Sequence, residues 1–196
     1  MKRIIYTVAA AAAIITGGVA TAAPAMASNP GNGALVITSA AQAAQYNGAV
    51  IDRNVVIAAS VTRDQNAWFL GTEVKGNLSV QGDIQFSGVT VDGNVSVSGP
   101  GSFLGFNNYA SHLERDLNVS GSSGIYTGMQ NNVSLGNWTQ YGGATQIDGS
   151  LSFTGNTGGL YSGYPMHVSG SFTYTGDTGP VLDRGGMTVS GTQTVG

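Results

Sequence analysis

Cysteine is absent from this 196-residue chain, and charged residues make up only 9% of it. The missing cysteine excludes disulfides and a lipid-modified cysteine, so stability has to come from packing and from backbone hydrogen bonds. Aromatic residues are also few, at 8%, whereas glycine occurs 31 times. Low charge with abundant glycine is typical of β-structure with many tight turns rather than of a helical domain.

The amino-terminal segment, residues 1–27, has the pattern of a secretory signal peptide. Lys2 and Arg3 precede an apolar run, and small residues follow it and end in Ala25-Met26-Ala27. A basic start, an apolar stretch and an A-x-A site are the parts of such a signal. Later segments do not approach the roughly 20 apolar residues that a membrane span needs. We therefore expect cleavage after Ala27 and a secreted, extracellular protein, with association with the cell wall as a further expectation.

Removal of this signal would leave five basic and ten acidic residues, a formal charge of −5 that disfavours nucleic-acid binding. Residues 28–38 are predicted to be a flexible segment and residues 39–196 a single domain. Ser39 is suited to cap a helix over Ala40–Tyr46, and Asn47-Gly48 is suited to end it. Because terminal units of solenoids are atypical, we expect this helix to cover the first coil, with a surface turn as the alternative.

The stretch Val91–Gly99 is the unit that the rest of the chain repeats. Its valines share one parity and its serines the other, which is the period-two pattern of a half-buried strand. Spacings that average about 20 residues are typical of solenoids. Ile147 follows Ser134 too closely to leave room for a coil, so the copy that starts at Ser134 is predicted to be distorted or misaligned. The eight copies start at Ile51, Val74, Val91, Leu113, Ser134, Ile147, Val168 and Val189.

Aligning the copies predicts a core, a polar face and a ladder. The first, fifth and seventh positions are apolar and are predicted to face inward, whereas the sixth and eighth positions are rich in Ser and Thr. The fourth position is Asn or Asp, which predicts side-chain to side-chain bonding between stacked coils. We therefore predict an all-β, right-handed parallel β-solenoid of about seven to eight coils. A two-sheet antiparallel sandwich is the competing fold.

A recurring Gly-Asn-(Leu/Val)-Ser-Val pattern occupies residues 76–80 and 93–97, with degenerate copies elsewhere. This pattern resembles the repeats of secreted actinobacterial β-solenoid proteins and, more distantly, those of bactofilins, over about residues 51–196. Bactofilins are cytoplasmic polymers, and the signal peptide of this chain departs from that pattern. The resemblance implies a structural or cell-surface role without known catalysis.

Candidate chemistry is sparse. Metal sites need clustered ligands, but His112 and His167 fall in different copies, and the chain has no G-x-S-x-G nucleophile elbow. We therefore expect no catalytic residues, no metal and no cofactor. The second repeat position is partly acidic, which suggests weak calcium binding or the acidic cleft of a polysaccharide lyase with Arg53 or Arg115 as base. The alternative is a solvated row in which Arg115 pairs with Glu114. The members of this row are Asp52, Lys75, Asp92, Glu114, Leu135 and Asp148.

Three classes of function follow from these patterns. A non-catalytic structural or cell-surface protein is favoured by the repeats and the signal peptide. A module that binds glycan or ice is second, because Ser152/Thr154 and Thr173/Thr175 resemble the T-x-T ranks of β-solenoid ice-binding proteins. Asn118, Tyr141 and Gln81 interrupt those ranks. A polysaccharide-active enzyme is third.

Two other features predict contacts. The stretches Phe103–Tyr109 and Gly158–Pro165 mix aromatics with Gly and are predicted to be loops that contact a ligand or cover the core. Twelve uncharged residues follow Arg184, and strand edges of this kind bind other strands unless they are blocked. This predicts self-association through the solenoid ends, with folding of residues 178–186 over that end as the alternative. Extracellular or cell-wall polysaccharide is the other expected partner.

Overall fold

A computed structural model describes residues 33–196, except 108, 122–124, 128–143, 163–164, 178, 180 and 184–185. Every strand pairing in the described residues is parallel. Strands that neighbour one another in a sheet come from successive turns of the chain. The chain is thus a parallel β-solenoid, as predicted, and not an antiparallel sandwich.

The described residues form one α-helix, α1, at Ala40–Ala44, and a 3-10 helix at Arg63–Gln65. The strands are β1 (Leu35–Ile37), β2 (Val50–Ile51), β3 (Val55–Ile57), β4 (Trp68–Leu70), β5 (Glu73–Val74), β6 (Leu78–Val80), β7 (Asp83–Ser87), β8 (Thr90–Val91), β9 (Val95–Ser98), β10 (Phe103–Phe106), β11 (His112–Leu113), β12 (Leu117–Ser120), β13 (Ile125–Thr127), β14 (Thr145–Ile147), β15 (Leu151–Thr154), β16 (Leu160–Ser162), β17 (Met166–Val168), β18 (Phe172–Thr175), β19 (Val181–Asp183), β20 (Met187–Val189) and β21 (Gln193–Val195).

Three parallel sheets surround the core. The eight-stranded sheet has the order β1-β3-β6-β9-β12-β15-β18-β21, the seven-stranded sheet β2-β5-β8-β11-β14-β17-β20, and the six-stranded sheet β19-β16-β13-β10-β7-β4. Each full turn contributes one strand to each sheet, beginning with β2, β3 and β4. The described strands therefore form six complete turns, with β1 before them and β20 and β21 after them, rather than the seven to eight predicted.

The copy predicted at Ser134 lies outside the described residues. The strands on either side of it are direct neighbours, because β11 pairs with β14 and β12 pairs with β15. The copies that start at Leu113 and Ile147 therefore belong to successive turns. This placement explains why the interval from Ser134 to Ile147 was too short for a coil.

The inward columns are confirmed as the core wherever the structure describes them, with one exception. Val91, Val95 and Val97 have no exposed surface, and their counterparts in the other complete turns are buried as well. Val195 was predicted to face the core, but it is 71% exposed. Its strand β21 is flanked only by β18, so the side chain lacks the second neighbour that covers the valines of inner turns.

The Asn column forms a ladder, but not the side-chain to side-chain ladder predicted. Each side chain instead accepts a hydrogen bond from the backbone N–H of the next turn: Asn77 N donates to Asn54 Oδ1 at 2.8 Å, and Asn94 N donates to Asn77 Oδ1 at 2.9 Å. Asp116 Oδ1 continues the series by accepting from Ser150 N at 2.8 Å. The ladder therefore satisfies corner N–H groups that the sheets leave unpaired.

The six-stranded sheet corrects two predicted loops. Within Phe103–Tyr109 the chain forms β10, and within Gly158–Pro165 it forms β16. Leu104, Phe106 and Leu160 from these strands are buried in the core. The aromatic stretches are therefore the third side of the solenoid.

The amino-terminal helix is confirmed and is shorter than predicted. Ser39 caps it by accepting a hydrogen bond from Gln42 N, and α1 packs against β1 and β4. Leu35–Ile37, which falls in the predicted flexible segment 28–38, forms β1. Within the described residues, we find no helix with the length and apolar character required to cross a membrane.

Candidate functional site

The four predicted surface-binding residues lie together on the outward surface of the eight-stranded sheet. Ser152 pairs directly with Thr173, and Thr154 with Thr175, on strands β15 and β18. Neighbouring strands are about 4.8 Å apart and alternate residues along a strand are about 6.6 Å apart. The four side chains therefore form a small rectangular array, and none of them is buried.

This array continues along the sheet and forms what we call the hydroxyl face. Because β12 pairs directly with β15, Ser120 and Thr154 are neighbours in the rank, and the predicted interruption at Tyr141 lies outside the described residues. Asn118 and Gln81 remain as interruptions. The face consists of Ser79, Ser96, Asn118, Ser152, Thr173 and Thr194 in one column, and Gln81, Ser98, Ser120, Thr154 and Thr175 in the other.

The hydroxyl face carries no charged residue among these described positions. Its side chains are short, and each Ser or Thr hydroxyl can both donate and accept a hydrogen bond. Across its six strands, β6 to β21, the face extends about 24 Å. It can therefore make many equivalent, weak and uncharged hydrogen bonds to a flat or extended partner.

The seven-stranded sheet presents the opposite chemistry on its outward surface, the charged face. Its first column consists of Glu73, Thr90, His112, Gln146, His167 and Thr188. Its second column, formed by the residues directly after each strand, consists of Asp52, Lys75, Asp92, Glu114, Asp148, Ser169 and Ser190. All members of the predicted acidic row except Leu135 lie on this face, and Leu135 is outside the described residues. Both histidines, predicted to be isolated from each other, also lie on it, in one column and two strands apart.

The histidines bond to neighbours on the charged face. His112 Nε2 lies 2.7 Å from Asp148 Oδ2, and Gln146 Nε2 donates to Asp148 Oδ1 at 2.8 Å. The hydrogen bond from Gln146, followed by that from His112, lowers the pKa of Asp148 below its usual range. His167 Nδ1 lies 2.7 Å from Thr188 Oγ1. The two histidine contacts join adjacent turns through polar side chains.

Lys75 forms ion pairs with two acidic residues of the charged face. Lys75 Nζ lies 3.0 Å from Asp92 Oδ2 and also pairs with Glu73. Hydrogen bonds to Glu73 and then to Asp92 raise the pKa of Lys75 to about 12. Within the part of the chain that the structure describes, Arg115 does not form the predicted ion pair with Glu114, and no three potential metal ligands cluster.

A buried polar cluster that the sequence did not predict lies on the outer side of the six-stranded sheet. Residues 58–67, which join β3 to β4, include the 3-10 helix and cover Asp83, which is only 2% exposed. Burial raises the pKa of Asp83 to about 6, against the opposing charge of Arg63. The Arg63 guanidinium carbon lies 4.6 Å from the centre of the Phe103 ring.

An amide network continues this cluster. Asn66 Oδ1 accepts hydrogen bonds from Trp68 Nε1 and Gln85 Nε2, both at 3.0 Å, and Asn107 Nδ2 donates to Gln85 Oε1 at 2.7 Å. The sequence signal was the interval between copies, which is longer from Ile51 to Val74 than from Val74 to Val91. The extra residues make the connection that folds over the sheet.

No protein-family model matches the chain, and comparisons with curated proteins and with solved structures find no match either. The resemblance of the repeats to secreted actinobacterial solenoid proteins and to bactofilins therefore stays a prediction from the sequence. Function has to be argued from the two outward faces and from the ends of the sheets.

Proposed function

We propose that this chain is a secreted, non-catalytic cell-surface repeat protein that binds extended polysaccharide through its hydroxyl face. The observation that carries the proposal is the strand register, which aligns Ser152 with Thr173 and Thr154 with Thr175 in an uncharged array. The predicted signal peptide supports an extracellular site of action.

The chemistry of the hydroxyl face fits a neutral glycan better than an ionic ligand. Sugar hydroxyls, like Ser and Thr hydroxyls, donate and accept hydrogen bonds, so the array can pair with a chain of sugars without a fixed charge pattern. Each such bond contributes little, because it replaces bonds to water. A polymer that contacts several strands at once gains affinity through multivalency.

The test compares one substitution on two faces. Thr173→Lys places a long charged side chain on the hydroxyl face between Ser152 and Thr194, whereas Thr90→Lys places the same side chain outward on the seven-stranded sheet. We expect wild type and Thr90→Lys to co-sediment with insoluble cell-wall polysaccharide, chitin or cellulose. We expect the bound fraction of Thr173→Lys to fall several-fold. Equal binding by both variants, or no binding by wild type, would count against the proposal.

Ice is a second candidate ligand, favoured by one specific observation. Thr173 and Thr175 form a T-x-T pair that aligns with Ser152 and Thr154, which in turn align with Asn118 and Ser120. Freezing hysteresis that disappears in Thr173→Lys, without polysaccharide binding, would favour ice over glycan.

The remaining alternatives predicted from the sequence have their own measurements. A depolymerisation screen with the same polysaccharides tests for a polysaccharide-active enzyme. Light scattering tests for the structural role that depends on self-association through the solenoid ends. Product release in the first, or filaments in the second, would replace the proposed binding function.

A further inference from the structure

The amino-terminal edge of the eight-stranded sheet is β1, which pairs with β3 on one side. Backbone groups of a strand point alternately to its two sides. Leu35 N and Ile37 O face β3, where they bond to Asn54 O at 2.8 Å and to Ala58 N at 2.9 Å. Val36 O and Thr38 N therefore point away from the sheet, to the position that a further strand would occupy.

The side chain of Gln42 occupies that position. Gln42 Nε2 donates to Val36 O at 3.0 Å, and Thr38 N donates to Gln42 Oε1 at 2.8 Å. In a parallel ladder, one residue of a neighbouring strand makes the same two bonds to the residues on either side of its partner, which in this case is Ile37. The carboxamide of Gln42 thus replaces the peptide groups of a missing strand.

The short helix holds Gln42 in this place. Ser39 caps α1, Ala43 is buried against the core, and Ala40 N donates to Gln65 Oε1 at 3.2 Å. A second amide acts in the same way at β4, the edge of the six-stranded sheet, where Leu70 N donates to Asn47 Oδ1 at 3.0 Å. Two side-chain amides from one segment therefore satisfy edge groups of two different sheets.

We propose that Gln42 blocks the β1 edge against pairing with β1 of a second copy of this chain. The edge sequence Leu35-Val36-Ile37 has no charge, no proline and no bulge, and Val36 is 47% exposed. Edges with these properties bind other strands unless something covers them. Two identical β1 edges related by a two-fold axis would pair antiparallel and form a closed dimer.

The first test removes the block and compares it with a matched change on the same helix. Gln42→Ala deletes the carboxamide that covers the edge. The control, Gln45→Ala, deletes the exposed carboxamide of a glutamine three residues later. Both retain a strong helix former, so α1 is preserved. For the protein purified after removal of the signal peptide, light scattering should give a doubled mass at high concentration for Gln42→Ala and a monomer for wild type and Gln45→Ala. A monomeric Gln42→Ala, or growth beyond the dimer, would overturn the proposal.

A second variant separates edge pairing from a loosened cap. Val36→Lys in the Gln42→Ala background brings like charges together across the two-fold axis, and edge lysines oppose strand pairing. We expect this double variant to return to the monomer and to melt at the same temperature as Gln42→Ala. If it still dimerises, the contact is not β1, and the role assigned to Gln42 is wrong.

Discussion

Parity along a strand decides how a single residue affects stability in this solenoid. Val95 lies between Leu78 and Leu117 with no exposed surface, whereas the adjacent Ser96 points outward between Ser79 and Asn118. An unpaired carboxylate at position 95 would be buried, which costs several kcal/mol. We expect Val95→Asp to unfold the central turns and Ser96→Asp to lower the melting temperature only slightly. Equal damage in thermal melts would contradict the inward and outward assignment.

Asp83 makes stability depend on pH. Its pKa in the folded chain is about 6, above the roughly 3.9 of an unfolded Asp, because burial disfavours the charged form. The folded state therefore binds the proton more tightly, so this stabilisation is complete below about pH 4 and is lost as the pH rises through 6. Protonated Asp83 therefore raises the free energy of unfolding at low pH by an amount on the order of 2–3 kcal/mol.

Asp83→Asn removes this titration. We expect the variant to be more stable than wild type at pH 7.5 and to lose the stability change between pH 4 and pH 6, as measured by denaturant unfolding. Asp52→Asn, at a side chain that is 81% exposed, serves as the control and should follow wild type. A wild-type pH profile in Asp83→Asn would mean that another group titrates.

At the scale of single elements, the corners between sheets set the repeat. Gly93 precedes Asn94, and a Cβ built on Gly93 would lie 2.5 Å from Gly76 O in the turn before. A Cβ built on Gly101, by contrast, would have no atom within 4 Å. The Gly-Asn pair therefore combines a close backbone approach with a side chain that accepts the N–H of the next turn.

Gly93→Ala should thus separate adjacent turns and destabilise the protein by about 1–3 kcal/mol, as overpacking does. Gly101→Ala should change stability by less than about 1 kcal/mol, because its effect is limited to the unfolded chain. Chemical denaturation of both variants measures the difference. Similar losses in the two variants would show that stacking at the corner is not what requires Gly93.

The same elements show how far the sequence predicts this structure. Val91, Val95 and Val97 revealed the core because their spacing is regular and local. Strand β10 was predicted to be a loop because Gly105 interrupts its alternation, and burial of Leu104 and Phe106 depends on the neighbouring turns. The hydroxyl face was predicted correctly in its residues, but its continuity required knowing which turns are neighbours.

The buried cluster around Asp83 and the edge contacts of Gln42 could not be predicted from the sequence, because both depend on contacts with other segments of the chain. Asp83 is covered by a connection from an earlier turn, and nothing in the residues around it predicts that cover. Gln42 lies in an alanine-rich helix, where glutamine is ordinarily a helix former. Its bonds to Val36 and Thr38 appear only when β1, absent from the sequence prediction, is placed beside α1.

At the scale of the whole molecule, the solenoid is defined by direct pairing between strands of successive turns. Thr127 on β13 is in register with Phe106 on β10, which in turn is in register with Phe86 on β7. From Phe86, only Ser87 and Gly88 precede Val89, which is buried directly before β8. Thr145 is buried at the equivalent place after residues 128–144. Ser87-Gly88 therefore joins Phe86 to Val89, and residues 128–144 join the equivalent positions, Thr127 and Thr145, two turns later.

Replacing residues 128–144 with Ser-Gly should leave the six complete turns intact, because β11 pairs with β14 and β12 with β15 in either chain. A shorter connection also loses less entropy on folding, on the order of 1–2 kcal/mol. We expect a cooperative melt at the wild-type temperature or above, and unchanged binding by the hydroxyl face. Deleting Leu117–Ser120, which removes β12 alone and leaves a gap in the eight-stranded sheet between β9 and β15, should instead abolish the cooperative transition. If the Ser-Gly variant unfolds as that deletion does, the copy at Ser134 is a structural turn and the solenoid has more than six complete turns.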